Sequence, residues 1–481
     1  MRRSIRANYF YNLTYQILVI ITPLITTPYV SRVLGADGIG TYSYTESVAS
    51  YFVIFATMGI TTFGQREVSY YQDDRYKRSN SFWNTKILSW ISCSIILSIY
   101  LLYLIITGKG LIYYVFVFNI LAVAFDVTWL FQGMEDFRKI VIRNIIFKVL
   151  NIAFIFLFIK KYEHLILYTF GICFFHAVSF ISLWPYVFKY VDRINLSEIR
   201  PFKDYRVVLS LFIPTIAIQI YTVLDKTMIG VITQDPFQNG YYDQAIKMSR
   251  LVLTIITSLG TVMIPRIGFL FNKTDQEGVS TLMYKGYRFV WFLGIPLTLG
   301  LSLVSSHFVP WFYGPGYDDV VPLLGVLSLL IIAIGINNLT GIQYLIPTKR
   351  QNLFTLSVLL GALLNFTMNM ALIPLYGALG AAIASVMAES AIALIQLYMI
   401  RKEISFLTVI KNGAHYYIAG FFMACILLIV KRSLAPSIVS TILLVLTGMI
   451  AYFAILLLMK DSFFLNNAAT ILKKIKSIVR R

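Results

Sequence analysis

Lysine and arginine set inside long apolar stretches are the residues of this 481-residue chain whose chemistry most needs an explanation. A cation near the middle of a membrane helix costs about 2.5–3.5 kcal/mol on insertion scales. Asp243, Lys247 and Arg250 follow an i, i+4, i+7 spacing and so share one face of a helix. Arg250 lies roughly 15 Å from the outer end of its apolar run, too deep for its stem to carry the charge to water. Lys148 sits near the middle of another run, Asp225 and Lys226 lie in the outer third of a third, and Arg32 closes the outer end of the first. Facing one cavity, Arg32, Lys148, Lys226, Lys247 and Arg250 would form a path for an anionic group, with Arg32 and Arg250 able to grip phosphate oxygens bidentately. The plain alternative is that Asp225, Asp243 and nearby carboxylates neutralise these cations as structural pairs, while Arg32 and Lys226 extend to the interface.

Four carboxylates lie in or near apolar runs: Glu46, Asp126, Asp225 and Glu389. Burial raises a carboxyl pKa, so one of them could bind H+ or Na+ and couple an ion gradient to a conformational change, the others serving as charge partners. Glu389 has no basic residue within a helical turn on either side, which makes it the best proton-site candidate of the four, the plain and weightier alternative being an ordinary interhelical hydrogen bond. Pro23 and Pro28 in the first run and Pro214 in the seventh remove backbone hydrogen bonds where bending would be useful, and are the expected hinges. Cys93, Cys173 and Cys425 are far apart, without metal-ligand spacing, and read as small hydrophobes. No metal or other cofactor is expected, beyond H+ or Na+ coupling.

The elements that must position these groups follow from composition. With 58% hydrophobic and only 13% charged residues and a mean hydropathy of +0.74, the chain carries more apolar surface than a soluble core can hide. The expected fold is all-α and polytopic, with about 14 membrane helices starting near residues 9, 40, 82, 111, 140, 164, 206, 240, 286, 320, 352, 378, 413 and 436. The net charge of +19 does not indicate nucleic-acid binding, because the cations fall in short connections instead of one basic domain. Of the 41 Lys and Arg residues, roughly 31 lie at the termini and in the even-to-odd connections, which places both termini in the cytoplasm. Lys160, Lys161, Lys431 and Arg432 run against that bias. The polar connections 65–80 and 189–206 are too short to fold alone.

An internal duplication is visible. Gly40-Thr-Tyr42, Gly59 and Arg66 recur as Gly240-Tyr-Tyr242, Gly260 and Arg266, while Asp126, Gln132, Arg138 and Lys139 recur 211 residues later as Asn337, Gln343, Lys349 and Arg350. The expected organisation is a six-helix lobe over 1–190, a second over 191–405, helices 13 and 14 over 406–460 and a basic cytoplasmic tail over 461–481. Six helices per unit make the lobes parallel repeats about an axis along the membrane normal, a plan that puts the substrate site between the halves of a transporter.

The motifs Pro28-Tyr-Val-Ser-Arg32-Val-Leu-Gly35, Gly59-Ile-Thr-Thr-Phe-Gly64-Gln-Arg66-Glu67 and Asp126-Val-Thr-Trp129-Leu-Phe-Gln132-Gly133-Met-Glu135 carry a family resemblance. So do Asp225-Lys226-Thr-Met228-Ile-Gly230 and Gly240-Tyr241-Tyr242-Asp-Gln-Ala-Ile-Lys247. In order and spacing they resemble the Wzx-type polysaccharide-biosynthesis flippases of the multidrug/oligosaccharidyl-lipid/polysaccharide exporter superfamily. The resemblance implies two six-helix lobes with pseudo-two-fold symmetry, alternating access, and no enzymatic activity. It implies a cargo of undecaprenyl-diphosphate-linked oligosaccharide repeat units, turned from the inner to the outer leaflet of a bacterial plasma membrane, with membrane lipids and other polysaccharide-assembly proteins as further partners. The cationic path then has a diphosphate to carry. A drug/cation antiporter of the same superfamily is the first alternative, disfavoured by the surplus of deep cations. A membrane polymerase or ligase is the second; it would need a catalytic external loop, whereas the external connections are short and His164 and His307 stand far apart.

Overall fold

The computed structural model describes the backbone of residues 5–258, 260–467 and 469, and side chains from residue 18 onward except at 196, 213–215, 217, 218, 220, 261 and 262. Among the described residues every regular element is helical. Eleven helical stretches there are long and apolar enough to cross a membrane, the first of which, Leu18–Tyr70, holds more than one crossing. Two further helices, Tyr205–Thr233 and Pro236–Thr257, complete the series expected from the sequence. The second of these carries Asp243, Lys247 and Arg250 and is correspondingly less apolar. The chain is a multi-pass membrane protein, and by contacts it divides into two compact units, residues 1–240 and 241–481.

In the first unit α1 (Ile5–Thr57) runs 53 residues with one non-helical position, Gly35, at φ 66° and ψ 174°. A side chain would be strained there, so glycine is the residue that can break the rod. The helix continues through Pro23 and Pro28, the expected hinges, and its break falls after them at Gly35. There follow α2 (Ile60–Tyr70), α3 (Arg75–Thr107), α4 (Leu111–Val115), α5 (Val117–Phe125), α6 (Thr128–Gly133), α7 (Phe137–Phe158), α8 (Leu165–Ile181), α9 (Trp184–Val187) and α10 (Tyr205–Thr233). Asp74 caps α3 by accepting from the Lys77 N–H at 3.0 Å. Tyr42, Tyr100, Tyr113, Phe116 and Cys173 share one core, and Phe82, Trp129, Phe131 and Val187 another. Cys93 and Cys173 are buried, as small hydrophobes would be.

α10 lies along α1: the Thr227 hydroxyl donates to Ser47 Oγ at 2.9 Å, and Gly230 packs on the Tyr44 ring. The repeat-related glycines make reciprocal close approaches. A Cβ on Gly40 would fall 1.7 Å from the Pro236 carbonyl oxygen, and one on Gly240 would fall 1.9 Å from that of Ala36. The contacting positions 36 and 236 are separated by the same 200 residues as the glycines themselves, so the duplication seen in the sequence is also a duplication of contacts.

The second unit takes in most of α11 (Pro236–Thr257), then α12 (Gly260–Asn272), α13 (Gln276–Phe312), α14 (Val320–Leu327) and α15 (Leu330–Asn337), which passes into a π-helical stretch, Asn338–Leu345. α16 (Gln351–Tyr376) and α17 (Ala378–Met399) follow, then α18 (Phe406–Lys411), α19 (Ala414–Lys431) and α20 (Ile438–Leu458). Asp275 caps α13 through the Gly278 N–H at 2.8 Å, repeating the Asp74 cap 201 residues later. The trailing pair α19 and α20 packs on α13 through Ile295, Val304, Tyr416, Met423, Leu444 and Tyr452. Grouping by contact assigns α10 to the first unit; the lobes expected from the sequence divide the chain by repeat, at residue 190, which is a different criterion.

Candidate functional site

Within the first unit, α1, α5, α7 and α8 enclose a cavity of about 460 Å³. Asn144, Lys148 and Asn151 line it from α7, Asn119 from α5, and Tyr168 and His176 from α8. These three α7 side chains fall at i, i+4 and i+7, the spacing that one helical face imposes. His176 Nδ1 lies 3.2 Å from Asn119 Oδ1. On the α1 wall the Tyr42 hydroxyl donates to Glu46 Oε1 at 2.9 Å, and Lys226 Nζ of α10 stands 3.6 Å from Glu46 Oε2. Two residues singled out from the sequence, Glu46 and Lys226, are thus a charge pair, and a third, Lys148, lines the cavity that Glu46 borders. Arg143, also buried, donates to Asn144 Oδ1 and to Thr128 Oγ1, with its guanidinium 5.0 Å from the Phe180 ring centre. Asn119, Asn144, Asn151 and His176 escaped the sequence reading because it searched for charge. The α7 periodicity is the signal that marks two of these wall residues, Asn144 and Asn151, together with Lys148.

The remaining first-unit candidates lie elsewhere in the unit. Asp126 Oδ1 accepts from the Thr128 N–H at 2.8 Å, at the entry to α6, while its carbonyl accepts from Lys86 Nζ at 2.9 Å. Asp225 is buried in α10 beside Lys226. Arg32 is exposed and turns back on its own helix, donating to the Pro28 carbonyl at 2.8 Å. Pro214 falls within α10, and its side chain lies outside the described residues.

In the second unit Asp243 is fully buried and paired with Lys247 one turn on, while Arg250 is exposed a further turn along. Pairing of that kind was the plain alternative for Lys247. Glu389 of α17 accepts from Asn337 Nδ2 of α15 at 2.8 Å, the interhelical hydrogen bond weighed against a proton site. Tyr242 and Ser385 share a buried hydroxyl contact at 3.2 Å.

Outside the spans, charge pairs fasten connections within each unit. Arg75 holds Asp192 bidentately at 2.7 Å and 2.7 Å, keeping that carboxyl below the usual range. Arg350 likewise holds Glu403 at 2.8 Å and 2.9 Å. Burial would raise the Glu403 carboxyl, but Arg350 and the Tyr344 hydroxyl outweigh it and hold it low. Positions 192 and 403 are again 211 residues apart.

Comparison with known proteins agrees with this architecture. The profile of a family described as "Polysaccharide biosynthesis protein" matches residues 5–271, more than half of the chain. A "Putative O-antigen transporter" of Escherichia coli (strain K12) is 24% identical over 406 residues, covering 83% of this chain and 97% of its own. Among solved structures, "Lipid II flippase MurJ" in an inward closed conformation superposes with a TM-score of 0.68 over 95% of this chain and 99% of that one, at 16% identity. An inward-facing multidrug resistance MATE family transporter gives 0.60 over 81% and 98%, at 15% identity. At such identities the two structures are evidence of fold.

Proposed function

Because this chain belongs to the polysaccharide biosynthesis protein family, we propose that it flips undecaprenyl-diphosphate-linked oligosaccharide repeat units from the inner to the outer leaflet of a bacterial plasma membrane by alternating access. The likeness to a transporter over nearly its whole length supports transport as the activity. The single observation that carries the reading further is the placement of cations on membrane helices: Lys148 lines a cavity with amides, and Arg250 is exposed on a helix whose one buried acid, Asp243, pairs with Lys247. Cations so placed suit an anionic cargo, and Arg32, Lys148, Lys226, Lys247 and Arg250 contact the diphosphate during transport. A cationic drug would call for the opposite sign. The termini stay in the cytoplasm under the positive-inside bias. H+ or Na+ coupling through one of Glu46, Asp126, Asp225 and Glu389 supplies direction.

The test is a leaflet-accessibility assay. Purified protein is placed in vesicles with a lipid-linked oligosaccharide, and the fraction of cargo reachable from outside is followed with and without an imposed ion gradient. Acceleration over protein-free vesicles is expected. Unchanged exposure rates under every gradient would refute the reading.

A further inference from the structure

The trailing helix pair builds a second polar cavity, of about 560 Å³, that transport as proposed does not use. It lies entirely within the second unit, where α13, the turn before α19 and the segment after α20 meet. Lys285 and Arg288 come from successive turns of α13, Asn412 from the turn, and Ser462 and Asn467 from the segment beyond α20. Among the described residues no carboxylate lines it; Asp461, behind the wall, pairs with Arg288, and Lys285 leaves the site with a net positive charge.

One residue fixes this geometry. Asp461, fully buried, accepts from Arg288 Nη2 at 2.7 Å, from Tyr416 OH at 3.3 Å and from the Phe464 N–H at 2.8 Å, and His415 Nδ1 lies 3.0 Å from it. Arg288 also donates through Nε to Tyr416 at 2.8 Å and through Nη2 to Ser462 at 3.2 Å. These contacts engage Nε and Nη2 of the guanidinium and hold it rigidly at the wall. Lys285, one turn earlier, is exposed, and its ammonium is a second donor on the same face. Nearby, Trp291 Nε1 donates to the Val409 carbonyl at 3.0 Å and its ring packs edge-on against Tyr417, a pairing of indole and phenol suited to the depth of lipid headgroups.

We infer that this cavity binds a phosphate group of net negative charge, presented by the headgroup of an anionic phospholipid such as phosphatidylglycerol or by free phosphate. A lysine and an arginine three residues apart, the arginine held by Asp461, with amide and hydroxyl groups beside them and no lining carboxylate among the described residues, match the oxygens of a phosphate. Each basic residue at a membrane surface attracts an anionic lipid by about 1 kcal/mol, so losing one costs about fivefold in retention.

The test uses the full-length protein purified in detergent, with native mass spectrometry to count retained lipids. Phosphatidylglycerol is compared with the zwitterionic phosphatidylethanolamine, and thermal stabilisation by inorganic phosphate is measured in parallel. Exposed Lys285 is changed by Lys285→Gln, and Lys411→Gln removes a neighbouring cation that does not line the cavity. Phosphatidylglycerol retained over phosphatidylethanolamine, with about a fivefold loss in Lys285→Gln alone, supports the site with a lipid as its source. Stabilisation by inorganic phosphate that is lost in Lys285→Gln, without lipid preference, supports the site with free phosphate as its source. Absence of both effects, or equal losses in the two variants, overturns the inference. Flipping activity does not enter any of these outcomes, so the result stands or falls separately from the transport proposal.

Discussion

Replacing Gly240 by alanine sets two effects against each other, and the structure decides the sign. Inside a helix the change from glycine to alanine is worth about 1 kcal/mol in favour of folding, because glycine loses more backbone freedom. At Gly240 the new methyl would lie 1.9 Å from the Ala36 carbonyl oxygen, where even a tight contact needs at least 3.0 Å, so the two backbones must part by more than an ångström. Overpacking of that kind costs about 1–3 kcal/mol, and the obstacle is backbone that cannot rotate aside as a side chain could. Gly40 faces the Pro236 carbonyl at 1.7 Å, so Gly40→Ala should be at least as damaging. Gly300, in the middle of α13, supplies the control: an added Cβ there meets nothing within 4 Å. Thermal unfolding of purified protein, followed by the exposure of buried Cys93 and Cys173 to a thiol-reactive dye, should therefore lower the midpoint for Gly240→Ala and Gly40→Ala and leave it unchanged or raised for Gly300→Ala. Equal midpoints for Gly240→Ala and Gly300→Ala would refute the claim that α1 and α11 meet through these glycines.

Three further outcomes are expected. Arg250→Ala, at an exposed position, should abolish flipping while leaving insertion and thermal stability intact; full transport in that variant would remove the basic residue from the cargo's path. Glu46→Gln and Lys226→Met should each lower the unfolding midpoint, and the double variant should lose less than their sum, with a coupling of about 0.5–3 kcal/mol in a double-mutant cycle; strict additivity would mean that the 3.6 Å pair contributes nothing. Burial raises the Asp461 carboxyl, but the Phe464 N–H, His415 and Arg288 hold it below its ordinary value. A lowered folded-state pKa adds stability that is complete above the unfolded pKa of about 3.9 and is lost as pH falls through the folded value. Protease cleavage after α20 should therefore rise below about pH 4 in the parent protein, and Asp461→Asn should show high cleavage at every pH.

The fold was legible because its main determinants are local. Apolar length specifies a membrane helix, and the recurrence of Gly40 as Gly240 and of Asp126 as Asn337 marks two related units, a relation that the Asp74 and Asp275 caps and the Gly40 and Gly240 contacts repeat in three dimensions. The α1 break at Gly35 falls between Arg32, the expected outer end of the first run, and the expected start of the second near residue 40. Proline advertises itself in a sequence, yet α1 absorbs Pro23 and Pro28, and the non-helical residue is Gly35, whose permissive backbone leaves no mark in hydropathy. The candidate site was legible only where charge stood out. Lys148 was found, but Asn144 and Asn151 beside it and Asn119 and His176 opposite it were not, since a neutral amide in an apolar run costs too little to demand an explanation by itself.

What the sequence determined by itself, then, is what periodicity, length and charge count can carry: an all-helical membrane chain, its duplication and its deep cations. Which groups meet was decided by tertiary structure alone. Glu46 reaches Lys226 across 180 residues, Arg288 reaches Asp461 across 173, and Asn337 reaches Glu389 across 52. The energy of a buried charge depends on the partner within a few ångströms, and the order of residues along a chain does not state that distance.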